Sequence, residues 1–156
     1  MAEVTTQVVL RVEVGPEQDP TALERAIADE GRRAARELYR AVLDAEDDRS
    51  VGTAVGARQR REARWIATLF GRVRIHRYRV KDASESFHPL DRTLDLRRSE
   101  ASQALRRLVI DLSSRLSHRD VARVVTELTA EPFAYQQVGR LLREHAVDTN
   151  CGNWNS

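Results

Sequence analysis

One glycine between two runs of strand composition constrains the chain most. Residues 64–70 read RWIATLF, Gly71 follows, and 72–80 read RVRIHRYRV. Glycine takes the positive φ of a tight hairpin at little steric cost, so an antiparallel pair turning at Gly71 is expected. Successive side chains of a strand alternate faces, which sends Val73 and Ile75 one way and Arg72, Arg74 and His76 the other. Over this stretch Arg58, Arg60, Arg61, Arg64, Arg72, Arg74, Arg77, Arg79 and Lys81 are interrupted by one acid, Glu62, although the whole chain has a formal net charge of only +2. Positive charge so concentrated suits a surface that follows a phosphate backbone, with Arg72, Arg74, Arg77, Arg79 and Arg64 as its phosphate contacts. Lys81 is the only lysine among 26 Lys and Arg residues, however. An arginine-biased chain also carries solvated basic faces that bind nothing, and both readings stay open.

At 156 residues the chain has length for one domain or two very small ones. With 41% hydrophobic and 32% charged residues it reads as a mostly helical, water-exposed protein. Aromatics, at 5%, are too few for a base-stacking platform of the single-strand-binding kind. Cys151 has no second cysteine to pair with, and His76, His88, His118 and His145 are scattered without metal-ligand spacing, so no disulfide, metal or cofactor is expected. Asp91 and Asp95 share a helical face but lack a histidine partner, which makes them cap or ion-pair acids sooner than a catalytic pair. No apolar run approaches the ~18 residues of a membrane span, and no leader pattern opens the chain; a cytoplasmic protein without membrane partner is expected.

Along the chain, 4–14 alternates as a half-buried strand, with Val8, Leu10, Val12 and Val14 on one face. Thr21 and Glu24 have capping-box spacing, and Leu23, Ile27, Ala34, Leu38 and Val42 form the apolar stripe of a helix reaching about Ala45. That stripe is expected against the core; a homodimer face is its alternative use. The acidic run 44–48 and the glycines of 50–56 read as a mobile linker and unit boundary. Beyond 96, a helix capped by Ser99 carries Ala101, Leu105, Leu108, Val109, Leu112 and Leu116 at helical spacing. Ser117 and Asp120 open a second helix with Val121, Val124, Val125 and Leu128 inward. Pro132 opens a third, with Ala134, Val138, Leu141 and Leu142 inward, ending about Ala146. Two short helices after a third have the layout of a helix-turn-helix, whose second helix would present Tyr135, Gln136, Gln137, Arg140 and Arg143 to base edges. The expected architecture is therefore α+β and mostly helical. It comprises a strand and long helix (1–48), a basic hairpin with the segment after it (58–96), a helix-turn-helix-like region (97–147) and a disordered tail (148–156).

The order Arg61, Thr68-Leu69-Phe70-Gly71, Val73, Ile75, Arg77-Tyr78 and then Pro89-Leu90-Asp91, Leu94 and Leu96 resembles the N-terminal region of bacterial insertion-sequence transposases of the ISKra and ISLre type. The resemblance spans roughly 23–146 and is strongest over 58–96. It implies binding of double-stranded DNA at an element's terminal repeats, near the nucleoid, ahead of a catalytic DDE domain. That domain's alternating strands and acids do not follow Ala146, so a truncated copy, inactive alone, is expected. Many relatives place a cysteine pair between the hairpin and the P-L-D segment; residues 81–88 contain none, and no zinc is expected there. Two rivals use the same residues differently. A free-standing helix-turn-helix regulator would be a dimer reading a palindrome, and an interaction module or remnant without a DNA role would pair its arginines with the 24 acids.

Overall fold

The computed structural model of the chain describes residues 4–16, 19–96 and 99–151. Its elements run α1 (Pro20–Thr53), β1 (Ala57–Thr68), β2 (Gly71–Lys81), β3 (Ser86–Phe87), α2 (Pro89–Thr93), α3 (Gln103–Ser113), α4 (His118–Thr129) and α5 (Tyr135–Cys151). The three strands form one antiparallel sheet in the order β1-β2-β3, an α+β architecture as expected.

β1 and β2 turn over Leu69 and Phe70, with Thr68 opposite Gly71. Thr68 staples this turn, its buried hydroxyl donating to the Gly71 carbonyl at 2.7 Å and accepting from the Phe70 amide at 3.1 Å. Gly71 has φ +100, which a side chain strains, and a Cβ there would lie 2.7 Å from a Glu131 carboxylate oxygen, so that flexible side chain would have to move aside. Gly71→Ala is expected to destabilise the fold by about 1–3 kcal/mol, read as a lowered midpoint in urea; an unchanged midpoint would show that the turn relaxes freely.

The inner sheet face packs Ile66, Val73 and Ile75 against Leu43 of α1, Leu90 of α2 and Leu96. A second core is built from Ala101, Leu105 and Val109 with Val121 and Val125 of α4 and Val138 and Leu141 of α5; Ala67 and Leu69 of the sheet lean on it. Of the expected inward residues of these helices, Ala101, Leu105, Val109, Val121, Val125, Val138 and Leu141 are buried, whereas Leu116, Leu128 and Ala134 are exposed. Ala67 ties the two parts covalently distant in the chain: its amide donates to Glu100 O at 2.7 Å and its carbonyl accepts from the Ser102 amide at 2.8 Å. The helix that follows is capped by Ser102 and not Ser99, whose hydroxyl accepts from the Ala101 amide instead. Ser117 caps α4 as its spacing with Asp120 indicated.

Five expectations fail here. Residues 4–14 form no strand; they lie beside α1, where Arg33 donates to the Val9 carbonyl at 2.7 Å and the Arg11 amide reaches Glu30 at 3.4 Å. Alternation makes a strand only where a neighbouring edge takes the backbone groups, and here side chains of a helix take them. The linker of 50–56 is for the most part helix, since α1 runs to Thr53, and Asp19, not Thr21, caps its start. α5 likewise continues to Cys151 where a disordered tail was expected from 148; residues 152–156 of that tail lie outside the described residues. Finally, the apolar stripe of α1 does not face the core: Ile27, Leu38 and Val42 remain 55%, 44% and 38% exposed.

α1 instead turns Tyr39, Leu43, Asp47 and Ser50 inward, about 100° round the helix from that stripe. The reason is the edge of β2. Beyond its short pairing with β3, β2 would present bare amides, and α1 covers them. Buried Asp47 accepts from the Tyr78 amide through both oxygens, at 3.2 and 3.0 Å. Burial pushes the Asp47 carboxyl above the usual range, against the opposing pull of that amide and of Arg61. The native state thus holds this proton more tightly than the unfolded chain, so Asp47's contribution to stability falls as pH rises through the interval above the ordinary carboxylate range. Asp47→Asn, which keeps an acceptor without the charge, is expected to flatten that part of the stability–pH curve. Asp47→Ala is expected to lose about 1–3 kcal/mol by stranding the Tyr78 amide. Denaturant unfolding across mildly acid pH checks both, and equal behaviour of the two variants would contradict the edge-clamp role.

Candidate nucleic-acid interface

Strand parity sorts the arginines. Register places Trp65 opposite Arg74 and Ala67 opposite Arg72, all on the outer sheet face, while Arg64 stands opposite Ile75 on the inner one. Arg72 and Arg74 are exposed, and the Arg72 guanidinium lies 5.6 Å from the centre of the half-exposed Trp65 ring. Neither arginine has an ion pair among the described residues. Their common side follows from the alternation about Val73.

Arg77 and Arg79 have the parity of Val73 and Ile75, so they do not continue that surface. Arg77 and Arg64 both bind the buried Asp91 carboxylate, Arg64 at 3.0 Å, and Arg64 further donates to the carbonyls of Leu96 and Ser99 at 2.8 and 2.7 Å. Asp91 is thus an ion-pair acid. Arg79 sits 3.9 Å from Glu62, whose carboxyl is held below its usual range first by a hydrogen bond from Arg60 and then by the charges of Arg60, His88 and Arg79. The expected phosphate set therefore loses Arg64 and Arg77 to a buried structural cluster and sets Arg79 apart beside an acid.

The acidic run of α1 claims two more cations. Arg61 pairs with Asp44 at 2.8 Å and approaches Asp47 at 3.8 Å, and Arg58 approaches Asp48 at 3.8 Å. Both guanidinium groups lie over the Tyr78 ring, Arg58 at 3.5 Å and Arg61 at 5.1 Å from its centre.

On α5, Tyr135 and Gln136 are exposed in the first turn, and Arg143 is exposed without an ion pair among the described residues. Gln137 is half-buried and caps the helix, its side-chain oxygen accepting from the Ala134 amide at 2.7 Å. Arg140 lies 3.4 Å from Glu100 and 3.9 Å from Glu144. Of the ten expected contact residues, Arg72, Gln137 and Arg140 meet: they line one cavity of about 140 Å³ between the sheet tip, α5 and the connection before it. Trp65, Glu100 and Glu131 line it too. Trp65 escaped the sequence reading, yet it was legible there. Placing the turn on Leu69 and Phe70 pairs 65 with 74 and gives it Arg74's face.

Among the described residues no group of three or more His, Cys, Asp or Glu side chains is placed to hold a metal ion, and no helix is long and apolar enough to cross a membrane. Set against known protein families, curated proteins and solved structures, the chain matches none of them.

Proposed function

We propose that the chain binds double-stranded DNA, as the N-terminal recognition part of an insertion-sequence transposase whose targets are the element's terminal repeats. One observation carries the DNA reading. Arg72 of the sheet and Gln137 and Arg140 of α5, distant in sequence, open onto the same cleft, with Arg74 and Arg143 unpaired by any described acid nearby in their elements. In this reading α4 and α5 work as a helix-turn-helix. The first turns of α5 offer Tyr135 and Gln136 to base edges, while Arg72, Arg74, Arg140 and Arg143 neutralise phosphates. The transposase assignment rests on the sequence resemblance over 58–96. A DNA target implies a cytoplasmic, nucleoid-associated protein.

Four phosphate contacts give a log–log salt slope of about −3 to −4, so affinity for a duplex should fall about a hundredfold between roughly 50 and 200 mM salt. Gel shifts with terminal-repeat and unrelated duplexes across that range test it; affinity indifferent to salt would refute the electrostatic contact. A second reading is favoured by the exposed Ile27, Leu38 and Val42 of α1: an interaction module that pairs with a second copy. Sedimentation separates the two, because a dimer that dissociates on Leu38→Glu and ignores DNA supports the module.

A further inference from the structure

Resting on the DNA-binding reading, we infer that the cleft between the sheet tip and α5 receives a single unpaired base of a DNA strand, stacked on Trp65, with an amino-bearing base preferred. The lining, with two acids balanced by two arginines, argues for an uncharged flat heterocycle. It includes the small residues Ala67, Gly71 and Ala101 together with Trp65, 51% exposed in a chain with few aromatics. Ring-on-ring stacking is the contact such an indole makes with a base.

Glu131 stands against Gly71, its carboxylate oxygen 2.7 Å from where a Cβ would be, and Glu100, on the segment bonded to Ala67, lines the same cleft. The carboxylates of Glu131 and Glu100 can accept hydrogen bonds from an exocyclic amino group of cytosine or adenine, which thymine lacks. Arg72 and Arg140, the latter shared with Glu100 at 3.4 Å, are the cations of the same lining and the groups that would meet the phosphates flanking an inserted base. In a closed duplex the ring faces are stacked and only base edges are accessible. The ligand is therefore a duplex with an unpaired nucleotide, such as a single-stranded end.

The test follows Trp65 emission in a Trp154→Phe background, which leaves Trp65 as the sole tryptophan of the chain. Blunt duplex is compared with the same duplex carrying cytosine or thymine overhangs of either polarity. The expected result is quenching and about tenfold tighter binding for a cytosine overhang over the blunt end. Trp65→Ala, at a half-exposed site that tolerates truncation, should abolish that gain while leaving blunt binding in place; Trp65→Phe should keep most of it. Glu131→Gln should reduce the preference for cytosine over thymine. Overhangs that bind no tighter than blunt ends, or a gain that survives Trp65→Ala, would overturn the inference and leave duplex binding standing. A protein that binds none of these DNAs overturns both.

Discussion

Replacing Asp91 by alanine is expected to destabilise the protein by about 3–5 kcal/mol. Asp91 comes from the first turn of α2 and accepts from two guanidinium groups whose side chains are only 19% (Arg64) and 13% (Arg77) exposed. Arg64 would keep the carbonyls of Leu96 and Ser99, but Arg77 has no other hydrogen-bond partner among the described residues. Two like charges would then face each other in a largely buried place, with only partial access of water to replace the lost carboxylate. The cluster also joins the sheet to α2 and to the segment entering α3, so its loss loosens both cores at once. Asp91→Asn keeps an acceptor oxygen and should fall between alanine and the native residue. Urea unfolding followed by circular dichroism measures both; a loss under about 1 kcal/mol for Asp91→Ala would mean that the ion cluster is held by packing alone.

The second large effect is on DNA. Arg72→Ala with Arg74→Ala should lower the salt slope by about two and shrink the hundredfold loss between roughly 50 and 200 mM salt to about tenfold. Both side chains are exposed, so unfolding midpoints should move by less than about 0.5 kcal/mol, which separates a lost contact from a lost fold. The control is Arg79→Ala, which removes one charge, half that of the double variant, from the other face and should leave the slope within error. If Arg79→Ala lowers the slope by about one, half the effect of the double variant, net charge and not the outer face governs association. If neither alters it, the sheet takes no part in DNA binding and α5 must act alone.

The control exists because alternation, applied to every position, separates what a charge count merges. Val73 and Ile75 announced the inner face, and the same parity carries through to Arg77 and Arg79; treating the four β2 arginines as one surface overlooked this. Parity also brings Trp65 to the side of Arg72 and Arg74 once the turn is set on Leu69 and Phe70. The inward residues of α3, α4 and α5 were legible because three-to-four-residue spacing of Leu and Val leaves little choice of face. α1 was misread for a physical reason of another kind. Its partner is a strand edge that needs an acceptor, so buried Asp47 outranks Ile27 and Leu38, and no periodicity in hydrophobicity reports that need.

By itself, then, the sequence determined an antiparallel pair turning next to Gly71, though on Leu69 and Phe70 and not on the glycine, the helical second half with part of its inward faces, and the alternation that keeps Arg72 and Arg74 on one side. These are local matters, settled by backbone geometry and by spacing within a single element. Tertiary structure alone decided which charges stay available. Asp91, brought in by α2, withdraws Arg64 and Arg77, and Asp44, Asp47 and Asp48 of α1 draw on Arg58 and Arg61. It also decided that Arg72, Trp65 and Arg140 share a cleft. An ion pair or a cleft depends on where distant segments come to rest, and arginines a few positions apart in sequence differ in which acid the fold carries to them.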